Sequence, residues 1–256
     1  MDNIRTIRKI VTGRQAVDGA GVKLVRVVGY HDTKEFDPFL MLDAFDSADP
    51  NDYIKGFPWH PHRGIETITY LIQGDIEHGD SLGNKGSILD GECQWMTAGS
   101  GIIHQEMPKP SGRMLGVQLW LNLPAKNKMV PPKYHGITQK DIPVIEEGDK
   151  RIHIIAGIYQ EKPGAIKGDY VKPLYLDVEM DPGAEWSLDT DPEATLFVYL
   201  VEGAGVFDPT MEEVIPAKHA LLFHEGKQVR VKASAHTKEE LELAFKELEE
   251  NKFIKQ

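Results

Sequence analysis

Trp59-His60-Pro61-His62-Arg63-Gly64-Ile65-Glu66 and, further along, Gly101-Ile102-Ile103-His104-Gln105-Glu106 are the stretches on which the fold of this chain turns. Each offers two metal-binding side chains spaced i, i+2. In an extended strand successive side chains alternate faces, so His60 and His62 point the same way, as do His104 and Glu106. Two such strands facing each other inside a β-barrel would bring three imidazoles and one carboxylate to one point. The set holds no thiolate and suits a borderline or hard divalent ion. It reads as a buried metal centre.

Around this pair the chain reads as short strands separated by glycine turns. Val22–Val28 is rich in β-branched residues, and Asp37–Asp43 is a short apolar strand. Glu66–Ile72, Ile76–His78, Cys93–Ala98 and Leu115–Leu123 follow, with loops at Gly79–Gly86 and Gly99–Gly101. Such a series with almost no helical period predicts an all-β sandwich or barrel. Pro124–Pro143 is rich in proline and lysine, lacks a sustained apolar period, and reads as an interdomain linker.

Beyond it, Arg151–Gly157, Leu174–Met180, Leu221–His224 and Gln228–Val231 read as strands. Thr195–Gly203 repeats the layout of Thr67–Gly74, a weak internal duplication that suggests two barrels of one kind. The second copy has Trp186-Ser187-Leu188-Asp189 where the first has ligands, and His224 stands alone, so one metal per chain is expected. The domains are therefore expected at 1–134, binding the metal, and 135–256, without one. Thr237 with Glu240 is a capping box, and Leu241, Ala244, Phe245 and Leu248 recur at helical spacing. An amphipathic helix is predicted from Lys238 to about Asn251.

Bulk properties narrow the partners. The chain of 256 residues carries 40 acidic against 29 basic side chains, a net charge of −11, which argues against a broad phosphate-binding surface and direct nucleic-acid contact. One cysteine, Cys93, excludes a disulfide framework and every multi-cysteine zinc motif, and reads as a buried small side chain. The first ten residues hold no apolar core of signal-peptide length, and no run approaches the roughly 18 apolar residues of a spanning helix. The expectation is a cytoplasmic protein with no membrane contact.

His60–Thr67, Gln94–Gly99 with Gly101–Met107, and Gln118–Pro124 occur in an order that resembles the pirin family, a branch of the cupin superfamily. The resemblance extends over most of the chain and implies two tandem cupin, jelly-roll-like barrels with one metal, usually iron, in the first. It carries the ligands onto His60, His62, His104 and Glu106. The general cupin pattern would recruit Glu66 instead; the pirin pattern favours Glu106 and leaves Glu66 behind the ligands. The chain departs from the family where Lys232–His236 passes almost directly into the terminal helix, which implies a shortened second barrel.

Many pirins resemble quercetin 2,3-dioxygenases, so the resemblance implies a flavonol-like aromatic substrate, dioxygen, and one divalent ion, Fe(II) foremost, with Mn, Ni, Cu, Co or Zn as alternatives. Glu106 would serve as ligand and catalytic base. Phe57, Trp59, Ile103 and Met107 flank the ligands as candidates for the entrance, and Arg63 for the rim. The alternatives are a non-catalytic iron-binding regulator that binds a protein partner, and a structural barrel with adventitious metal.

Overall fold

The computed structural model describes residues 3–211 and 213–235. They form two units, one of residues 13–145 with 152–177, the other of residues up to 12, 146–151 and from 178 onward. This is not a single cut at 134/135. The first strand, Ile7–Thr12, pairs with His219–Phe223 far along the chain, and the segment after the expected boundary returns to the front unit.

In the front unit the strands are β1 (Arg14–Asp18), β2 (Val22–Val28), β3 (Phe39–Ser47), β4 (Phe57–His62), β5 (Ile65–Gln73), β6 (Ile76–Asp80), β7 (Lys85–Ile88), β8 (Glu92–Thr97), β9 (Ile102–Pro108), β10 (Met114–Asn122) and β11 (Lys133–Ile137). A seven-stranded antiparallel sheet has the order β11-β8-β5-β10-β3-β2-β1, and a four-stranded one the order β4-β9-β6-β7. The central strands β5 and β10 are covered on both faces, so they read as nearly unbroken buried runs.

The two sheets face each other. Val22, Leu24, Phe45, Leu71 and Met114 from one meet Ile76 and Ile88 from the other, together with Tyr53. Each such side chain, fully buried, contributes about 1.5–3 kcal/mol. On the outer face of the seven-stranded sheet Tyr70 donates its hydroxyl to Asp177 at 2.8 Å, within the same unit. The chain crosses from β8 to β9 through a turn at Gly99, whose φ is +51°; a Cβ there would stand 2.1 Å from the Val130 carbonyl oxygen.

The segment expected as a linker contains β11, which pairs along β8 with Tyr134 opposite Met96. An edge strand makes its ladder with backbone groups on one side only, so it needs no sustained apolar alternation. Cys93 is buried on β8, and burial pushes its thiol up.

The other unit has a three-stranded sheet of Ile7–Thr12, His219–Phe223 and Phe197–Tyr199, and a four-stranded sheet of Glu185–Asp189, Gln228–Ala233, Ala204–Val206 and Ile215–Pro216. Its core includes Leu200, Phe207, Leu221, Phe223 and Val229. Arg5, 1% exposed, donates to Thr190 Oγ1 and to the carbonyls of Asp191, Pro192, Ala194 and His224. The helix expected from Lys238 to Asn251 lies outside the described residues. No helix among the described residues is long and apolar enough to cross a membrane.

Candidate metal centre

The two histidine-bearing strands do not face each other across the interior, the arrangement under which the sequence would have brought the four side chains together. β4 and β9 are neighbours in the four-stranded sheet, with His104 opposite His60 and Ile102 opposite His62. Directly paired residues share a face, so the three rings gather on the inner side. His60 Nε2 lies 3.0 Å from His62 Nε2, and the His104 ring centroid lies 4.4 Å from that of His60 and 4.9 Å from that of His62. One ligand nitrogen from each ring falls within 4.8 Å of the other two. A register shift follows, with Glu106 opposite Phe57, so β4 spends one extra residue there.

These nitrogens fit a cation. His60 Nδ1 lies 2.8 Å from the Pro58 carbonyl; its proton is placed there, which leaves the Nε2 lone pair toward the cluster. His104 Nε2 is buried with no hydrogen-bond partner, an orphan that a coordinate bond would satisfy. Burial, and then the neighbouring rings, push His62 down to about 3. Burial lowers His104 as well, with Glu106 pulling the other way. Neutral imidazoles are what a metal requires.

Glu106 lies on the same face of β9, 3% exposed, outside that tight trio. Three donors from the opposite sheet hold its carboxylate. Thr69 Oγ1 donates to Oε1 at 2.7 Å, Gln94 Nε2 to Oε1 at 3.2 Å, and Gln118 Nε2 to Oε2 at 3.2 Å. Glu66 is elsewhere. On β5 it is three residues from Thr69 and so on the opposite face, where Thr97 Oγ1 donates to it at 2.7 Å. It does not stand behind the ligands.

Thr69, Gln94 and Gln118 were not legible as site residues. Their one signal is a polar side chain at a buried position in an otherwise apolar strand. His78 was also missed. It faces inward opposite Glu106 in the register, and its Nε2 lies 2.6 Å from the Tyr134 hydroxyl of β11. Asp80, opposite His104, is occupied by the Leu82 and Asn84 amides and the Asn84 side chain.

A cavity of about 520 Å³ opens on His60 and His62. Met41, Phe57, Trp59 and Trp120 give it apolar and aromatic walls, and Asp18, Asp43 and Gln118 its polar ones. Trp120 meets His62 edge to face at 5.1 Å. Of the residues proposed from sequence for the entrance, Phe57 and Trp59 line the cavity. Ile103 and Met107 alternate to the other face of β9, Ile103 being 48% exposed. Arg63 is exposed and donates to Met129 Sδ at 3.2 Å.

Comparison with known proteins places this geometry in a family. The Pirin family model matches residues 21–121, which contain all four candidate ligands. A Pseudomonas aeruginosa protein whose name assigns it provisionally to the quercetin 2,3-dioxygenases is 41% identical over 98% of this chain and 90% of its own length. The crystal structure of quercetin 2,3-dioxygenase from Acinetobacter baumannii is 28% identical, with a TM-score of 0.77 over 98% of this chain and 99% of that one. A bacterial pirin from Escherichia coli, solved in complex with nickel(II), shares the fold at 19% identity, with a TM-score of 0.61 over 89% and 94% of the two chains.

Proposed function

Starting from the fact that the chain belongs to the pirin family, we propose that it is a metal-dependent dioxygenase of the quercetin 2,3-dioxygenase type. The substrate is a flavonol-like aromatic, opened by dioxygen with release of carbon monoxide. The observation that carries the proposal is the convergence of three imidazole nitrogens, two of which, on His60 and His62, line an aromatic-walled cavity. His60, His62, His104 and Glu106 hold one divalent ion, Fe(II) foremost, with Mn, Ni, Cu, Co or Zn able to occupy the same donors. When bound, such an ion supplies Lewis acidity and electron transfer toward dioxygen.

The chain supplies the rest. Glu106 takes the proton of the flavonol hydroxyl, its carboxylate aimed by Thr69, Gln94 and Gln118. Phe57 and Trp120 take up the ring faces and keep water away. His78, braced by Tyr134, closes the inner side next to Glu106.

The test is aerobic turnover of quercetin by iron-, manganese-, nickel- and copper-loaded protein, followed by loss of the flavonol absorbance, with His62→Ala as control. Turnover with one of these metals that His62→Ala abolishes is the expected result. No turnover with any of them overturns the proposal and transfers the site to the regulator reading, which a pull-down dependent on iron oxidation state then tests.

A further inference from the structure

The cavity wall carries two carboxylates, Asp18 and Asp43, that share one guanidinium and that the proposed reaction leaves unused. Arg26 on β2 donates Nε to Asp43 Oδ1 at 2.9 Å and Nη2 to Asp43 Oδ2 at 2.8 Å. The same Nη2 reaches Asp18 Oδ2 at 2.7 Å. Asp43 is 3% exposed and lines the cavity, directly across the register from Gln118, which holds Glu106. Asp18 ends β1, and its turn is pinned to the start of β4, where Ala20 N donates to the Gly56 carbonyl at 3.0 Å. Gly19 is required there: its φ is +56°, and a Cβ would stand 2.6 Å from the Gly56 oxygen.

Two carboxylates around one guanidinium leave an excess of negative charge on this wall. A carboxylate has about four acceptor positions, and Arg26 occupies only one on each oxygen of Asp43. The bidentate fork also fixes the carboxylate plane, so the remaining lone pairs have a set direction. A hydroxyl entering the cavity meets a fixed acceptor; a carboxylate meets like charge.

We propose that Asp43, oriented by Arg26 and seconded by Asp18, is the specificity determinant of this cavity. It accepts a hydrogen bond from a neutral hydroxyl of the aromatic ligand other than the one at Glu106, and it rejects ligands that carry a carboxylate in that place. The inference rests on the reading above only in that an aromatic hydroxy compound occupies the cavity.

The test is equilibrium binding to zinc-loaded protein without oxygen, read by quenching of tryptophan fluorescence, since Trp59 and Trp120 line the cavity. The probes are 3-hydroxyflavone, quercetin, and a 3-hydroxyflavone with a carboxylate on its pendant ring. Wild type is expected to bind quercetin about tenfold more tightly than 3-hydroxyflavone, and the carboxylate weakest. Asp43→Asn is expected to lose the quercetin preference and to bind the carboxylate about tenfold more tightly than wild type, because Arg26 is left with one carboxylate partner. A gain of binding cannot arise from misfolding. Asp18→Asn is expected to shift the order in the same direction by less.

Equal affinity of wild type for all three probes, or uniform weakening by Asp43→Asn, overturns the proposal while the aromatic-substrate reading stands. If wild type binds none of the probes, that reading falls and the proposal falls with it.

Discussion

His60 Nε2 and His62 Nε2 face each other at 3.0 Å within one strand, and burial pushes the His62 ring far below the ordinary imidazole range, to about 3. The i, i+2 spacing puts both rings on one face, and the Pro58 carbonyl turns His60 so that its Nε2 looks inward. His104 completes the group from the neighbouring strand.

Each ring is therefore expected to be necessary for metal affinity. His62→Ala or His104→Ala should weaken binding by more than the roughly 10–100-fold that loss of an outer partner costs. Elemental analysis and a competitive chelator titration measure it, and unchanged stoichiometry in both variants would exclude the trio as ligands.

Metal removal should be felt by the fold, because the three candidate ligand histidines come from two strands that meet only in the folded state. At a hundredfold excess over Kd a bound ion adds about 2.7 kcal/mol. For a unit of this size that is roughly 5–10 °C in Tm. Calorimetry with and without chelator should show this difference in wild type and its absence in His104→Ala.

What could be read beforehand follows from range. The strand period is two residues long, so the facing of His60 with His62 and of His104 with Glu106 is written locally, and so are β2, β5 and β10. The polar cage of Glu106 is not. Thr69, Gln94 and Gln118 meet it only through the register of three strands and the facing of two sheets. Tyr134 was hidden because its strand lies at an edge without apolar alternation. The pairing of Ile7–Thr12 with His219–Phe223 has no local trace at all.

Glu106→Gln separates chemistry from packing. Three donors converge on the carboxylate, and one amide NH2 would now face a donor. Gln118 can turn its own amide to present oxygen, so the cost in stability should be about 1 kcal/mol. Turnover should fall about 10²–10⁴-fold, the share of a positioned proton acceptor. A denaturation midpoint far below wild type would instead make Glu106 a packing residue.

Arg5→Ala should destabilise the unit that contains it by about 3 kcal/mol or more, because Thr190 Oγ1 and the Asp191, Ala194 and His224 carbonyls lose one buried donor together. Arg5→Lys should restore little of it, since an ammonium cannot fork among Thr190, Asp191, Ala194 and His224. Urea unfolding of the two variants decides. A midpoint within error of wild type for Arg5→Ala would show that water replaces the side chain.

Glu66 and Glu106 are both buried glutamates near the histidine motifs, and the sheet separates their roles. Glu66 faces away from the cluster, so Glu66→Gln should leave metal affinity within about twofold, far short of the 10–100-fold typical of an outer-shell loss. Its effect should appear in pH. Burial raises the Glu66 carboxyl above its ordinary range, with the Thr97 hydroxyl pulling the other way. A raised folded-state value means a contribution that is complete below the unfolded value, about 4.3, and lost as pH climbs through the folded one. Wild type should therefore lose stability relative to Glu66→Gln as pH rises from about 4 toward neutrality. Guanidinium midpoints of both proteins across that range measure the divergence. Parallel curves would mean that the Glu66 carboxyl titrates alike in the folded and unfolded chain, and a loss of metal binding would return it to the centre.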